Sequence, residues 1–269
     1  MTPAPLQGVL RLYQTKPIAL PYFETNAQHS NKLVFVPGLT DTIGVVPYLP
    51  RLASVIDELG FSLVQFVKCS DLGGFGTSSL EGDAQEMAQL LEHLITRSDS
   101  PCTGKLVVMG HSTGCQDVVA FLSRERRFLS GRDGPIRVHG GICQAPVSDR
   151  EYFDVHDGQN PLGQLQLAES RAYIAEGKPG TLLERSSIAQ TPRYTDNGRG
   201  DGNSASALQP AMTAYRFTSL NARGGDDDLF STDLRQDELQ RTLRPALERA
   251  PLLMLFGANE CVFQCPCLY

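Results

Sequence analysis

Residues 110–114 read Gly110-His111-Ser112-Thr113-Gly114, a serine with glycine two places before it and two after it. A serine hydroxyl attacks a carbonyl only when three conditions meet. It must stand clear of the backbone, a base must take its proton, and N–H donors must receive the charge that develops on the carbonyl oxygen. The pattern G-x-S-x-G meets the first condition when a strand enters it and a helix leaves it. An apolar run, Leu106-Val107-Val108-Met109, precedes Gly110, and Val118, Val119, Phe121 and Leu122 follow at helical spacing. A turn that sharp strains the serine backbone, and the two glycines leave room for it. The helix that follows turns its N–H groups and its positive end toward the same point. One oxyanion donor would be the N–H of Thr113. The second would come from the loop after an earlier strand, Val36-Pro37-Gly38-Leu39-Thr40, where Gly38 permits close approach and Leu39 offers its N–H.

These groups need a sheet to carry them. From about residue 32 to 147 short apolar runs alternate with amphipathic stretches, the signature of βαβ units around a parallel sheet. Leu33–Val36 is a continuous apolar strand of the kind buried on both faces. Leu49, Leu52, Val55, Ile56 and Leu59 predict a helix that Gly60 ends. Phe61–Val67 follows as a strand, then a Gly- and Ser-rich loop, 71–79. Ser78 with Glu81 has capping-box spacing and opens a helix through Met87, Leu90, Leu91, Leu94 and Ile95. Ile136–Gln144 reads as the strand after the serine helix. The rhythm breaks over 150–250. Helices are expected near 161–176 and 233–249, with a polar loop at 191–210 and an acidic, solvated turn at Gly224-Gly225-Asp226-Asp227-Asp228. Leu252–Phe256 returns as a buried strand. The expected organisation is therefore a core over 1–149, a helical cap inserted over 150–250, a return strand within 251–260, and a tail over 261–269.

The bulk properties narrow the partners. The chain has 269 residues, 41% hydrophobic and 20% charged, which suits one sizeable domain. A net charge of -6 gives a polyanion such as nucleic acid little to bind. Arg11, Gln14 and Lys16 interrupt every apolar run near the N-terminus, so no signal peptide or membrane span is expected and a cytoplasmic location is. The seven Cys follow no metal-ligand spacing; Cys69, Cys102, Cys115 and Cys143 are expected reduced, and Cys261, Cys265 and Cys267 crowd into the tail.

Four blocks, Gly110–Asp117 (GHSTGCQD), Gln144–Arg150 (QAPVSDR), Asp71–Leu80 (DLGGFGTSSL) and Gly224–Leu234 (GGDDDLFSTDL), resemble a fungal family with an α/β-hydrolase fold. It is a family of formerly unknown function that includes the intracellular esterase of fusarinine-type siderophores. The likeness runs from about residue 30 to about 258. It implies a serine hydrolase that acts on small secondary-metabolite esters, with no metal or cofactor and Ser112 as nucleophile. The acid then follows the last strand, where Asn259-Glu260 stands, so Glu260 is one candidate; Asp149, after the preceding sheet strand, is the other. The triad histidine belongs past a further helix and strand, and only nine residues follow Glu260, none of them His. A parallel crossover alone needs about a dozen residues. The expectation is thus a fold whose last helix and strand are missing. Its tail, 261–269, resembles nothing in the family. Of the five histidines, His29, His93, His111 and His139 are read as surface or core residues, and His156 as an unorthodox base at best. Two functions stay open: a serine esterase of small secondary-metabolite or siderophore esters, expected to be a poor hydrolase in this truncated form, or a non-catalytic binding protein or non-functional truncated product of the same descent.

Overall fold

The computed structural model describes residues 5–124, 136–155, 159, 161–184 and 210–257. Seven strands form one sheet in the order β1-β2-β4-β3-β5-β6-β7. They are β1 (Val9–Gln14), β2 (Leu20–Glu24), β3 (Asn31–Val36), β4 (Phe61–Phe66), β5 (Leu106–His111), β6 (Gly140–Gln144) and β7 (Leu252–Leu255). The pairs β4–β3, β3–β5, β5–β6 and β6–β7 are parallel, whereas β1–β2 and β2–β4 are antiparallel. This mostly parallel sheet with helices on both faces is an α/β-hydrolase fold.

Alternation along the central strands explains the layering. In β3, Val34 and Val36 face one way, into a core with the helices α2 (Leu80–Thr96) and α3 (Gly114–Arg124). Leu33 and Phe35 face the other, against α1 (Leu49–Glu58). Both faces are apolar, so the strand reads as an unbroken hydrophobic run. Gly60 takes φ +74 and closes α1.

The remaining helices are α4 (Asp149–Val155), α5 (Pro161–Ala175), α6 (Ala214–Asn221), α7 (Gln236–Thr242) and α8 (Arg244–Arg249). Helices α4, α5 and α6 make a separate apolar cluster, through Phe153, Leu167, Phe217 and Leu220, that reaches Phe75 and Leu39 in the loops leaving β4 and β3. Helix α8 packs instead on α3, with Ala246 and Ala250 in the main core.

Several elements differ from their expected form. The β1–β2 hairpin is new; its pattern is short and half exposed, with Leu10 and Leu12 open to solvent. The cap of α2 is Ser79, whose side chain accepts from the Gly82 N–H, while Ser78 Oγ donates to Asp83. Strand β6 starts only at Gly140. Before it, the His139 N–H donates to the Leu106 carbonyl at 2.8 Å, while the His139 ring accepts the Leu106 N–H at 3.1 Å. The stretch 233–249 divides at Leu243, ahead of Pro245. Strand β7 is half exposed rather than buried, with Leu253 and Leu255 open on one side.

The acidic turn is the largest departure. Asp226 accepts from the Tyr215 hydroxyl at 2.6 Å. Asp227 accepts from Arg216 and from Ser219, each at 2.6 Å. Asp228 accepts from Arg150 at 3.1 Å, from the Gly224 N–H at 2.9 Å and from Ser231. The three carboxylates pin α6 and α4, with Asp227 and Asp228 buried and Asp226 partly so. Removing one partner of a buried pair strands the other charge, at a cost of about 3–5 kcal/mol. Arg216→Met should therefore lower the unfolding free energy in urea by about that much, and adding Asp227→Leu should recover part of the loss. A single-variant loss below about 1 kcal/mol, the range of an exposed pair, would contradict the assignment.

Candidate functional site

Two residues separate β5 from α3, and Ser112 is one of them. Its backbone sits at φ +53, a region that costs a residue with a Cβ roughly 1–2 kcal/mol. Neighbouring backbone holds it there. The Ser112 N–H donates to the Gln144 carbonyl at 3.0 Å, as a continuation of the β5–β6 ladder. The Cys115 and Gln116 N–H groups donate to the Ser112 and Thr113 carbonyls, also at 3.0 Å, and start the helix. The turn is so tight that a Cβ on Gly110 would stand 2.3 Å from the Gly114 carbonyl oxygen. A Cβ on Gly114 would stand 2.3 Å from the Val36 carbonyl oxygen, and one on Gly38 would be 3.0 Å from the Ser112 Cβ. The ends of β3, β5 and β6 thus converge on Ser112 at the C-terminal edge of the parallel strands, where open α/β sheets bind ligands. Ser112 itself stays partly exposed.

Leu39 and Thr113 border one small cavity beside Gly38. Neither of their backbone N–H groups donates to an acceptor among the described residues. Two backbone donors left unpaired, at residues that border one cavity, are the kind of pair an oxyanion hole requires before substrate arrives.

The far wall of that cavity is charged. Lys68, Asp71, Asp83, Asp117, Arg216 and Asp227 line it, all at least nine-tenths buried. Lys68 Nζ donates to Asp117 Oδ2 at 2.5 Å and lies 3.9 Å from Asp83. Burial opposes its ammonium form, but Asp117, Asp83 and Asp71 outweigh that and hold its pKa above the ordinary value. Asp117 is pushed upward by burial, with Lys68 opposing. Asp71 is pushed up to about 6, again chiefly by burial and against Lys68 and the Thr42 hydroxyl. None of this was read from the sequence. The available signal was Asp117 itself, a carboxylate in a helix whose residues 114–122 are all buried.

The other sequence candidates divide. Asp149 opens α4, is buried, and lies 3.5 Å from the Gln116 amide nitrogen. Glu260 and His156 fall outside the described residues, as do Cys261, Cys265 and Cys267. Four histidines are described, each held elsewhere. His29 meets Asp57 at 2.7 Å, His93 meets the Tyr22 hydroxyl at 3.3 Å, and His139 accepts from Leu106. His111 stacks on Phe35 and bonds Gln144 and Tyr48. Among the described residues the Ser112 hydroxyl makes no hydrogen bond. Cys69, Cys102, Cys115 and Cys143 are free thiols, all but Cys69 buried. No helix among the described residues is long and apolar enough to cross a membrane.

A carboxyl whose folded pKa is raised favours the folded state at low pH and loses that contribution as pH climbs through the folded value. For Asp71 the window runs from the ordinary carboxylate range, about 4, up to about 6. The melting temperature of wild type minus that of Asp71→Asn should fall as pH rises across this window, then level off. A difference that stays flat or rises from pH 4 to pH 7 would contradict the burial of this group.

Comparison with known proteins agrees with the geometry. Residues 1–265 match the family described as "Protein of unknown function (DUF1749)". That match extends beyond the 30–258 carried by the four sequence blocks and enters the 261–269 tail, expected to resemble nothing in the family. An esterase of Emericella nidulans is 30% identical, over 95% of this chain and 76% of its own length. The fusarinine C esterase sidJ of Aspergillus fumigatus is 31% identical, over 96% of this chain and 78% of its own. Among solved structures, the siderophore hydrolase EstB from Aspergillus fumigatus superposes with a TM-score of 0.66 at 27% identity, covering 94% of this chain and 77% of that one. A soluble variant of the monoglyceride lipase of Saccharomyces cerevisiae, at 11% identity and a TM-score of 0.51, shares the fold alone. With esterases and a siderophore hydrolase among its relatives and the fold of that enzyme class, the chain belongs to the DUF1749 family.

Proposed function

We propose that this chain is a carboxylic-ester hydrolase with Ser112 as its nucleophile and small siderophore or secondary-metabolite esters as its substrates. The observation that carries the reading is the strained Ser112 turn, set beside two N–H groups with no other acceptor. A backbone conformation that costs free energy persists where the surroundings enforce it, and such strain clusters at reacting groups. In the proposed reaction the Ser112 Oγ attacks the ester carbonyl and gives up its proton as the bond forms. The Leu39 and Thr113 N–H groups donate hydrogen bonds to the former carbonyl oxygen as it gains negative charge. The tetrahedral intermediate collapses with loss of the alcohol, and water then cleaves the acyl-serine by the reverse steps. The base is a group other than the four described histidines, and Asp149 and Glu260 are the two candidates for the carboxylate that orients it.

Helices α4, α5 and α6 form the cap in this reading, since their apolar cluster meets Phe75 and Leu39 over the strand ends. In this reading α8, which packs on α3 in the main core, is not counted with the cap. The ester chemistry of the two curated relatives, one of them a fusarinine C esterase, supports the substrate class.

A second reading, a binding protein without catalysis, draws on the Ser112 hydroxyl having no hydrogen-bond partner among the described residues. Kinetics separate the two. On p-nitrophenyl acetate and on a fusarinine-type ester, Ser112→Ala should lose at least the 10²–10⁴-fold that general-base help typically supplies. Equal rates for wild type and Ser112→Ala, or folded wild type with no turnover of either ester, would remove the esterase reading.

A further inference from the structure

Leu39 stands near Ser112 on a loop, 37–48, that runs from β3 to α1. One peptide unit sets how that loop aims the Leu39 N–H. The Gly38 carbonyl and the Leu39 N–H share a trans peptide plane and point to opposite sides of it. That carbonyl accepts from the Asp41 N–H at 3.1 Å, so the position of Asp41 sets the direction of the donor. Thr40, beside Asp41, sits at φ +67, in the left-handed region that a residue with a Cβ avoids. A turn of that kind keeps its form only where its surroundings enforce it.

Among the described residues, two hydrogen bonds reach from 37–45 to other elements. The Gly44 N–H donates to the Gln65 side chain in β4 at 2.9 Å. The Thr42 hydroxyl, on the residue after Asp41, donates to Asp71 Oδ2, also at 2.9 Å. Asp71 is a fixed anchor. It is buried in the loop after β4, its N–H donates to the Lys68 carbonyl at 3.1 Å, and its own carbonyl accepts the Gly74 N–H at 3.0 Å. The Lys68 ammonium in turn holds Asp117, in the first turn of α3. The series Thr42, Asp71, Lys68 and Asp117 thus ties the loop of the Leu39 donor to the helix that follows Ser112. We propose that Thr42 is a positioning residue: through Asp71 its hydroxyl locks the 38–42 turn and holds the Leu39 N–H in register with Ser112. The inference rests on the esterase reading and deepens it.

The test compares Thr42→Val, which keeps the shape and loses the hydroxyl, with Thr42→Ser, which keeps the hydroxyl. Rates on p-nitrophenyl acetate are expressed per folded chain, so that a purely structural role leaves them unchanged. Thr42→Val should lose about tenfold to 10²-fold in kcat, as for a displaced oxyanion donor, with KM changed by less than about twofold. Thr42→Ser should stay within about threefold of wild type. A kcat loss below about twofold, a loss carried by KM, or no recovery in Thr42→Ser overturns the proposal. Thr42→Ala takes the place of Thr42→Val if that variant folds poorly. Amide hydrogen exchange separates the two claims. The Asp41 amide should exchange about tenfold faster in Thr42→Val than in wild type and return toward the wild-type rate in Thr42→Ser, with residues 106–122 unchanged. If wild type shows no Ser112-dependent turnover, the esterase reading fails and exchange alone decides. Faster exchange in Thr42→Val then upholds the lock, and equal exchange removes it.

Discussion

The backbone of α3 enters so close to the end of β3 that only a hydrogen atom fits between Gly114 and the Val36 carbonyl. That approach fixes where the helix begins, which leaves two residues to turn the chain back from β5. Ser112 takes the left-handed conformation because the turn allows nothing else, held by the Gln144 carbonyl on one side and the Cys115 N–H on the other. The same crowding brings Gly38, and with it the Leu39 N–H, against the serine. A larger side chain at 110 or 114 would push the three strand ends apart. The position of Ser112 and the approach of Gly38 and Leu39 to it are therefore consequences of one packing constraint.

Charge is the second organising force, and it acts on the layer above. The loops after β3 and β4 and helices α3, α4 and α6 meet around buried carboxylates and their cations. Lys68 ties the loop after β4 to α3 and lies within reach of α2, while Arg216 ties α6 to the turn before α7. Buried ion pairs add little net stability compared with apolar packing, but they tolerate little displacement. Such a layer fixes the geometry of loops that a purely apolar contact would let slide.

The parallel core was legible in the sequence because each central strand is a continuous apolar run and each flanking helix carries one apolar face. The Ser112 turn was legible because local pattern alone sets it: an apolar run, the pentapeptide Gly110–Gly114, and a helix-spaced apolar set from Val118. The β1–β2 hairpin escaped because its strands are half exposed and their alternation is weak. The polar layer escaped for a different reason. Residues 68, 71, 83, 117, 216 and 227 meet only through tertiary packing, and nothing in their spacing announces it. Asp226, Asp227 and Asp228 were misread because a run of acids in a Gly-rich turn is ordinarily solvated, and only the structure brings Tyr215, Arg216 and Arg150 to them. Sequence thus disclosed what periodicity governs and missed what long-range charge pairing governs.

The central claim is that packing holds Ser112 in a reactive turn, and covalent capture tests it most directly. A fluorophosphonate probe is added to the folded chain and the adduct is mapped by peptide mass spectrometry. The account predicts one adduct per chain, on Ser112, and its loss in a folded Gly114→Ala variant that retains the serine. Labelling spread over surface serines or tyrosines, or undiminished capture at Ser112 after that substitution, would contradict it.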